Sequence, residues 1–319
     1  MVQFLVKRFI GLLFVAIAVT FVTFIMGYFA PGNPIILLLG QHYTHKEELL
    51  LMHSYGLDLP WYQQYGNYLH NLFSLNFGQS FVTKGRPVVD ILSSGIPISL
   101  ELGLWALALQ LVIGIPLGII SALKANTWVD TTNMTVMLFA FSIPSFVMAI
   151  FAQVLIVWLD QHTGLGWPVA NWGTPWSYSW SDIQFKLVPI LVLAAIGLAF
   201  FARFSRTTML EILRQDYVRT ARSKGLHERV VVYRHALRNA MIPLVTLIGI
   251  ALGFLVGGAF FIEQIFNIPG IADISISSIN SRDYPVIQAT TVILAIAVVL
   301  GNLISDLLYA VVDPRIKVE

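Results

Sequence analysis

The chain contains no cysteine, and only 11% of its 319 residues are charged. The first absence removes disulfide frameworks, thiol nucleophiles and cysteine-based metal sites together. The second excludes a water-soluble domain of this length, which typically charges about a quarter of its residues. Also missing are a Gly-rich phosphate loop ending in Gly-Lys-Ser/Thr, a His-Glu-x-x-His pair and a Gly-x-Ser-x-Gly elbow. Each is the local signature of a hydrolytic or nucleotide-binding site, so no catalytic residue is expected in this chain. A formal net charge of +2 is too small for a nucleic-acid-binding face, and no nucleic-acid partner is expected. No low-complexity tract and no internal repeat is visible.

What is present in abundance is apolar: 57% of the residues are hydrophobic. A helix needs about 20 apolar residues to cross a hydrocarbon core of about 30 Å. Six stretches meet that criterion, near Phe9–Ala30, Ile96–Leu123, Thr131–Leu159, Leu187–Arg206, Ala240–Ile265 and Pro285–Val312. The first follows Lys7 and Arg8, is longer than the core of a signal peptide and lacks a small-residue cleavage site, so it reads as an uncleaved anchor. Fourteen Lys and Arg residues fall in one set of alternating loops and five in the other. Cytoplasmic loops carry such an excess, which places both termini in the cytoplasm of a multi-pass cell-membrane protein in contact with lipid. The expected layout is an anchor over 1–30, an extracytoplasmic segment over 31–95 and a five-helix core over 96–319 with a cytoplasmic loop over 207–239.

On the outer side, Thr44 and Glu47 have the spacing of a capping box ahead of the run Leu49–Met52. Trp158, Trp167, Trp172, Trp176 and Trp180 place five of eight tryptophans within twenty-three residues. They read either as an interfacial aromatic belt or as a contact surface for an external partner. Pro269-Gly270 signals a turn. His42 and His45 have a metal-compatible spacing without further ligands and are read as solvated, with no metal site expected. Ionisable residues inside the spans are costly and therefore candidates for function. Glu101, Glu263 and Asp306 qualify, and Asn302 lies four residues before Asp306 on the same helix face. Interfacial or interhelical hydrogen bonding and the lining of a path both remain open for Glu101, Glu263 and Asp306, and Glu101, Asn302 and Asp306 are the candidate path residues. Gln110 and Gln153 suit helix–helix contacts, and Pro116 and Pro144 suit kinks.

The most concentrated feature is the run from Arg203 to Arg238, which holds nine of nineteen Lys and Arg residues against Glu211, Asp216 and Glu228. Helix formers dominate Thr208–Ser223, Gly225 interrupts, and a second helix-compatible stretch leads to Pro243. Arg214, Arg222 and Arg229 recur about every seven residues, with Tyr217 and the small Ala221 beside them, as on a compact helix that inserts into a groove of another protein. An ordinary positive loop at anionic lipid has the same composition.

The segment Asp216-Tyr217-Val218-Arg219-Thr220-Ala221-Arg222-Ser223-Lys224-Gly225-Leu226, followed by Arg234-His235-Ala236-Leu237-Arg238-Asn239-Ala240 and Ile242-Pro243, resembles the cytoplasmic loop of binding-protein-dependent ABC transporter permeases. The branch importing dipeptides and oligopeptides is the most similar. The general pattern opens with Glu-Ala-Ala; here Arg219-Thr220-Ala221 fill the triplet, and Gly225 keeps its spacing. Ala30-Pro31-Gly32-Asn33-Pro34, Tyr55-Gly56-Leu57-Asp58, Asn76-Phe77-Gly78, Ile143-Pro144-Ser145-Phe146, Ile268-Pro269-Gly270-Ile271, Arg282-Asp283-Tyr284 and Tyr309-Ala310-Val311-Val312-Asp313-Pro314-Arg315 extend the likeness over nearly the whole chain.

The resemblance implies an all-α, six-span, type I ABC importer permease fold. It also implies a non-enzymatic transport subunit that binds no cofactor itself, paired with a second homologous permease. Two cytosolic ATPase subunits carrying ATP and Mg, and an extracytoplasmic substrate-binding protein that delivers a peptide, would complete the assembly. Tyr217, Arg219, Thr220, Ala221, Arg222, Lys224, Gly225 and Leu226 would then form the ATPase-coupling loop. Related permeases carry nickel complexes, glutathione or small oligosaccharides, so those cargoes remain alternatives; an ion-driven transporter or membrane enzyme is the remote one.

Overall fold

The computed structural model describes residues 2–29, 35, 39, 43–83, 85–253, 255 and 259–312, with side chains described for these except 2–9, 12, 306 and 308–312. In chain order the helices are α1 (Val2–Tyr28), α2 (His45–Ser54), α3 (Trp61–Phe73), α4 (Val88–Leu109), α5 (Ile115–Leu123), α6 (Trp128–Ser142) and α7 (Ser145–Thr163). They continue with α8 (Trp180–Leu213), α9 (Asp216–Ser223), α10 (Glu228–Val230), α11 (Arg238–Gly253), α12 (Phe260–Ile265), α13 (Ile271–Ser281) and α14 (Tyr284–Val312). Two π-helical segments, Gln110–Gly114 and Val231–Leu237, join α4 to α5 and α10 to α11. Among the described residues there is no strand beyond an isolated bridge between Gln79 and Pro87.

Among the described residues, five continuous helical runs are long and apolar enough to cross a membrane: Val88–Leu123, Ser145–Thr163, Trp180–Leu213, Glu228–Gly253 and Tyr284–Ser305. Leu13–Tyr28 within α1 is a shorter apolar stretch. The five have mean hydropathies between 1.4 and 2.3, yet only 11% to 39% of their most apolar windows is buried within the chain. So much apolar surface turned outward is what lipid or neighbouring membrane helices cover.

Three expected boundaries are corrected. The span placed over Thr131–Leu159 is two helices, because Ile143 is extended (φ −87°, ψ 123°) ahead of Pro144, whose ring disfavours helical geometry in the preceding residue. The 15-residue α6 that this leaves is only about 22 Å long. The span placed over Ala240–Ile265 is shifted: its helix starts at Glu228 and ends at Gly253. The helix expected over Thr208–Ser223 is broken at Arg214–Gln215, where α8 ends, and Gln215 (φ −70°, ψ 148°) leads into α9. Pro116 stands at the start of α5 directly after the π-helical segment, whose wider turn accommodates the missing N–H.

The chain divides into two compact units, Met1–Ile98 with Pro269–Ala297, and Ser99–Ile268 with Val298–Glu319. In the first, α3 packs on α1 through aromatic rings: Tyr65 lies 5.3 Å from Phe24 and 5.4 Å from Phe21, centroid to centroid. The Thr44–Glu47 capping box is formed, with the Thr44 N–H donating to Glu47 Oε2 at 2.8 Å. Asp283, just before α14, accepts from the Phe81 N–H at 3.0 Å and from the Ser80 hydroxyl. In the second unit, α5 approaches α8 so closely that a Cβ on Gly118 would lie 2.2 Å from the Ala202 carbonyl oxygen. Helices that gain no hydrophobic drive from lipid associate through such small residues.

Candidate functional site

The basic run folds into a compact cap on the second unit. Val218 and Ala221 of α9 are buried with Val231, against Ile212 and Leu213 at the end of α8. Past α9 the chain turns through a left-handed Gly225 (φ +73°), whose N–H donates to the Arg222 carbonyl at 2.9 Å while the Leu226 N–H reaches the Ala221 carbonyl at 3.4 Å. This pair of bonds is a Schellman motif, which satisfies the last helical carbonyls and favours glycine at its left-handed position. The Arg222 guanidinium grips Glu228 with two hydrogen bonds, 2.7 and 3.2 Å, closing the turn. The Asn239 amide donates to the Tyr217 hydroxyl at 3.0 Å, tying α9 to α11.

This geometry revises two expectations. Arg214, Arg222 and Arg229 do not share a helix: Arg214 ends α8, Arg222 lies in α9 and Arg229 in α10. Ala221 is a core residue of the cap, not part of an inserting face. The outward face of α9 is Asp216, Arg219, Thr220 and Ser223, all exposed, with Tyr217 and Arg222 at its edges. Lys224, Gly225 and Leu226 are exposed beside it. Two further island arginines turn back on the protein. Arg206 makes a bidentate pair with Asp130, 2.6 Å on each arm, and Asp130 also accepts from the Asn126 N–H at 2.9 Å. Arg203 lies over the Phe141 ring, 5.0 Å from its centroid.

At Glu101, read as a path candidate, the carboxylate has no exposed surface. Lys186 Nζ donates to its Oε1 at 2.7 Å, and Trp172 Nε1 and the Trp176 N–H donate to Oε2, both at 2.9 Å. The ammonium also donates to the carbonyls of Thr174 and Ser177, each at 2.8 Å. Both charges are thus fully hydrogen-bonded, the condition under which burial is tolerated. The cluster clamps the loop 172–177 onto α4 and α8. Trp172 is 0% exposed, so it does not belong to an interfacial belt, whereas Trp158, Trp176 and Trp180 are exposed. Lys186 immediately precedes the apolar run Leu187–Arg206, and no local spacing in the sequence points to its pairing with Glu101.

Glu263 is also fully buried and accepts from the Ser99 hydroxyl at 2.6 Å. Gln153 donates to the carbonyl of Ile265 on α12 at 2.7 Å and to that of Val169 in the loop after α7 at 2.9 Å, and Gln110 donates to that of Leu193 on α8 at 3.3 Å. Asn302 is exposed on α14; the side chain of Asp306 and the whole of His42 lie outside the described residues.

A helical membrane chain with this capped basic loop has counterparts among known proteins. The family profile described as "Binding-protein-dependent transport system inner membrane component" matches residues 114–318, and its N-terminal companion matches residues 1–103. The chain belongs to this family. It is a multi-pass membrane permease subunit of an ABC importer, a transport subunit and not an enzyme. The oligopeptide transport system permease protein AppB of Bacillus subtilis (strain 168) is 36% identical over 321 residues, covering 99% of this chain and 100% of that protein. The glutathione transport system permease protein GsiC of Escherichia coli (strain K12) is 36% identical over 318 residues, 99% of both chains. The dipeptide transport system permease protein DppB of Alkalihalophilus pseudofirmus is 36% identical over 338 residues, covering 99% and 100%. In fold, the permease is similar to a chain of the inward-facing MetNI methionine ABC transporter, with a TM-score of 0.55 and 20% identity over 70% of this chain and 97% of that one.

Proposed function

We propose that this permease imports dipeptides and oligopeptides, and that α9 with the turn that follows it is the element through which ATP hydrolysis is coupled to transport. The cargo reading is carried by one observation: permeases named for oligopeptide, dipeptide and glutathione transport match nearly the whole chain at 36% identity. In this reading α1, α4–α5, α7, α8, α11 and α14 are six membrane spans, both termini and α9 are cytoplasmic, and the 31–95 segment lies outside. A second homologous permease, two cytosolic ATPases holding ATP and Mg, and an external substrate-binding protein complete the machine.

The physical support for coupling is the rigidity of the cap. Buried Val218 and Ala221, the Arg222–Glu228 pair and the Tyr217–Asn239 bond join α9 to both α8 and α11, so a push on its outer face moves those helices as a body instead of being absorbed by a loop. Arg219, Thr220, Lys224 and Leu226 are the exposed groups available to an ATPase groove. Glu101 acts as an internal clamp in this reading, and any path through the second unit is formed by other groups.

The test of cargo is a competition assay on the assembled transporter with peptides of graded length, glutathione, a nickel chelate and a small oligosaccharide. Saturable competition by dipeptides and longer peptides is expected. Indifference to every peptide, with competition by the chelate or the sugar, overturns the reading. Glutathione is itself a small peptide, and competition by glutathione alone would narrow the cargo to it.

A further inference from the structure

A cavity of about 470 Å³ lies in the first unit, between the end of α1, helices α2 and α3, the 76–81 segment and the start of α14. Its size falls in the range of small-ligand sites, about 300–1,000 Å³. No described residue lining it is charged; its walls are carboxamides, tyrosines and phenylalanines. Several polar groups there are left without a protein partner among the described residues. The Tyr68 hydroxyl is buried and unpaired. A buried hydroxyl of this kind costs free energy until a ligand or water satisfies it. The amides of Asn67 and Asn71, which are exposed, and of the half-buried Gln288 make no hydrogen bond to the described residues, whereas Gln64 spends its amide on the carbonyls of Leu57 and Leu59 at 3.0 and 2.7 Å.

We infer that this cavity binds an uncharged, extended stretch of peptide chain. A side-chain carboxamide offers one acceptor and two donors, the complement of a peptide group. Asn67 and Asn71 are four residues apart on α3, a rise of about 6 Å. An extended chain repeats every second residue, about 6.6 Å, so the two amides meet alternate peptide groups of one strand. Gln288, on α14, provides further donors and an acceptor facing α3, and the rings receive side chains. The absence of charge among the described lining residues selects against free termini and ionised side chains, which would lose hydration there without compensation. The inference stands on the chemistry of the cavity and not on the cargo assignment. The backbone of a transported peptide and a strand of the external binding protein offer this same chemistry.

The test uses the assembled transporter in lipid nanodiscs, with a photo-reactive benzoylphenylalanine replacing Met52, an apolar residue of the cavity wall. The probes are an N-acetylated, C-amidated hexa-alanine peptide, with maltohexaose as a neutral competitor, and the purified binding protein. Cross-linking of the blocked peptide without binding protein supports the inference and names cargo as the occupant. Cross-linking only to the binding protein supports it and names that partner. Asn71→Leu and Gln288→Leu, at sites where no described hydrogen bond is lost, are each expected to weaken the cross-link about fivefold. Cross-linking to neither probe, equal protection by maltohexaose, or unchanged cross-linking in both leucine variants overturns the inference. The readout is binding, so it fails or succeeds separately from ATP-driven uptake.

Discussion

Glu101 and Lys186 show how much a single buried contact decides. Each ion leaves water completely, and each is met by hydrogen-bond donors or acceptors on loop 172–177. Removing one partner strands the other charge, so Lys186→Ala is expected to cost about 3–5 kcal/mol, read as a lowered unfolding temperature of the purified permease. The double variant Glu101→Leu/Lys186→Met should recover most of that loss; if it is as unstable as the single variant, the pair is not what holds the loop. At Gly225 the cost is conformational only, since a Cβ there meets nothing within 4 Å while φ is +73°. Gly225→Ala should therefore destabilise by about 1 kcal/mol, and a loss several times larger would show that the position also touches a partner.

His53 offers a pH reading at the same scale. Its Nδ1 lies 2.8 Å from Asp58 Oδ2, and the hydrogen bond to the carboxylate, then its charge, raises the histidine above its ordinary value. A raised histidine contributes to holding the 53–58 turn fully below the ordinary value of about 6.5, and the contribution is lost as pH rises through the raised value. Asp58 is lowered by the same hydrogen bond, so its contribution fades only toward acid. Histidine NMR titration should place His53 above its ordinary value, and Asp58→Asn should bring it back; an unchanged titration in that variant rules out the pair.

Among the elements, α9 separates two effects that its sequence runs together. Ala221 is 5% exposed and packed on Val218 and Val231, so Ala221→Glu would place an unpaired carboxylate in the cap and unfold it locally. Arg219 is exposed, and its ion pair with Asp216 is a loose 3.7 Å at the surface, a contact of little energetic consequence. Arg219→Glu is therefore expected to leave the permease inserted and stable while lowering uptake per ATP hydrolysed in the assembled transporter. Unchanged coupling in Arg219→Glu and in Thr220→Arg together would remove α9 from the coupling role. Asp130 and Arg206 brace α6 to α8 below this cap, a contact whose loss should loosen both helices.

For the whole molecule, sidedness is the property that transport depends on. The absence of native cysteine makes a single introduced one an unambiguous reporter. Arg219→Cys should react with a membrane-impermeant thiol reagent only from the cytosolic side, and Tyr62→Cys, on the exposed part of α3, only from the outside. Labelling of both from one side would invert or dismantle the proposed topology. Uptake by the reconstituted assembly should stop when ATP is withheld, whatever ion gradient is imposed.

Class, approximate spans and family were legible along the chain because hydropathy and motif spacing are local and additive: twenty apolar residues in a row need a membrane wherever they fold. The break at Pro144 was legible only as a kink, because a proline announces a weakened helix but not whether its neighbours restart one. What the chain alone could not set was the partner of each charge. Lys186 meets Glu101 across 85 residues and Arg206 meets Asp130 across 76, separations that no periodicity encodes. Tertiary packing therefore decided which cations are spent inside and which remain on the surface, and it turned Ala221 inward and Arg219 outward. Burial makes the difference: a charge paired inside holds neighbouring elements together, whereas one left in water stays free to meet a partner.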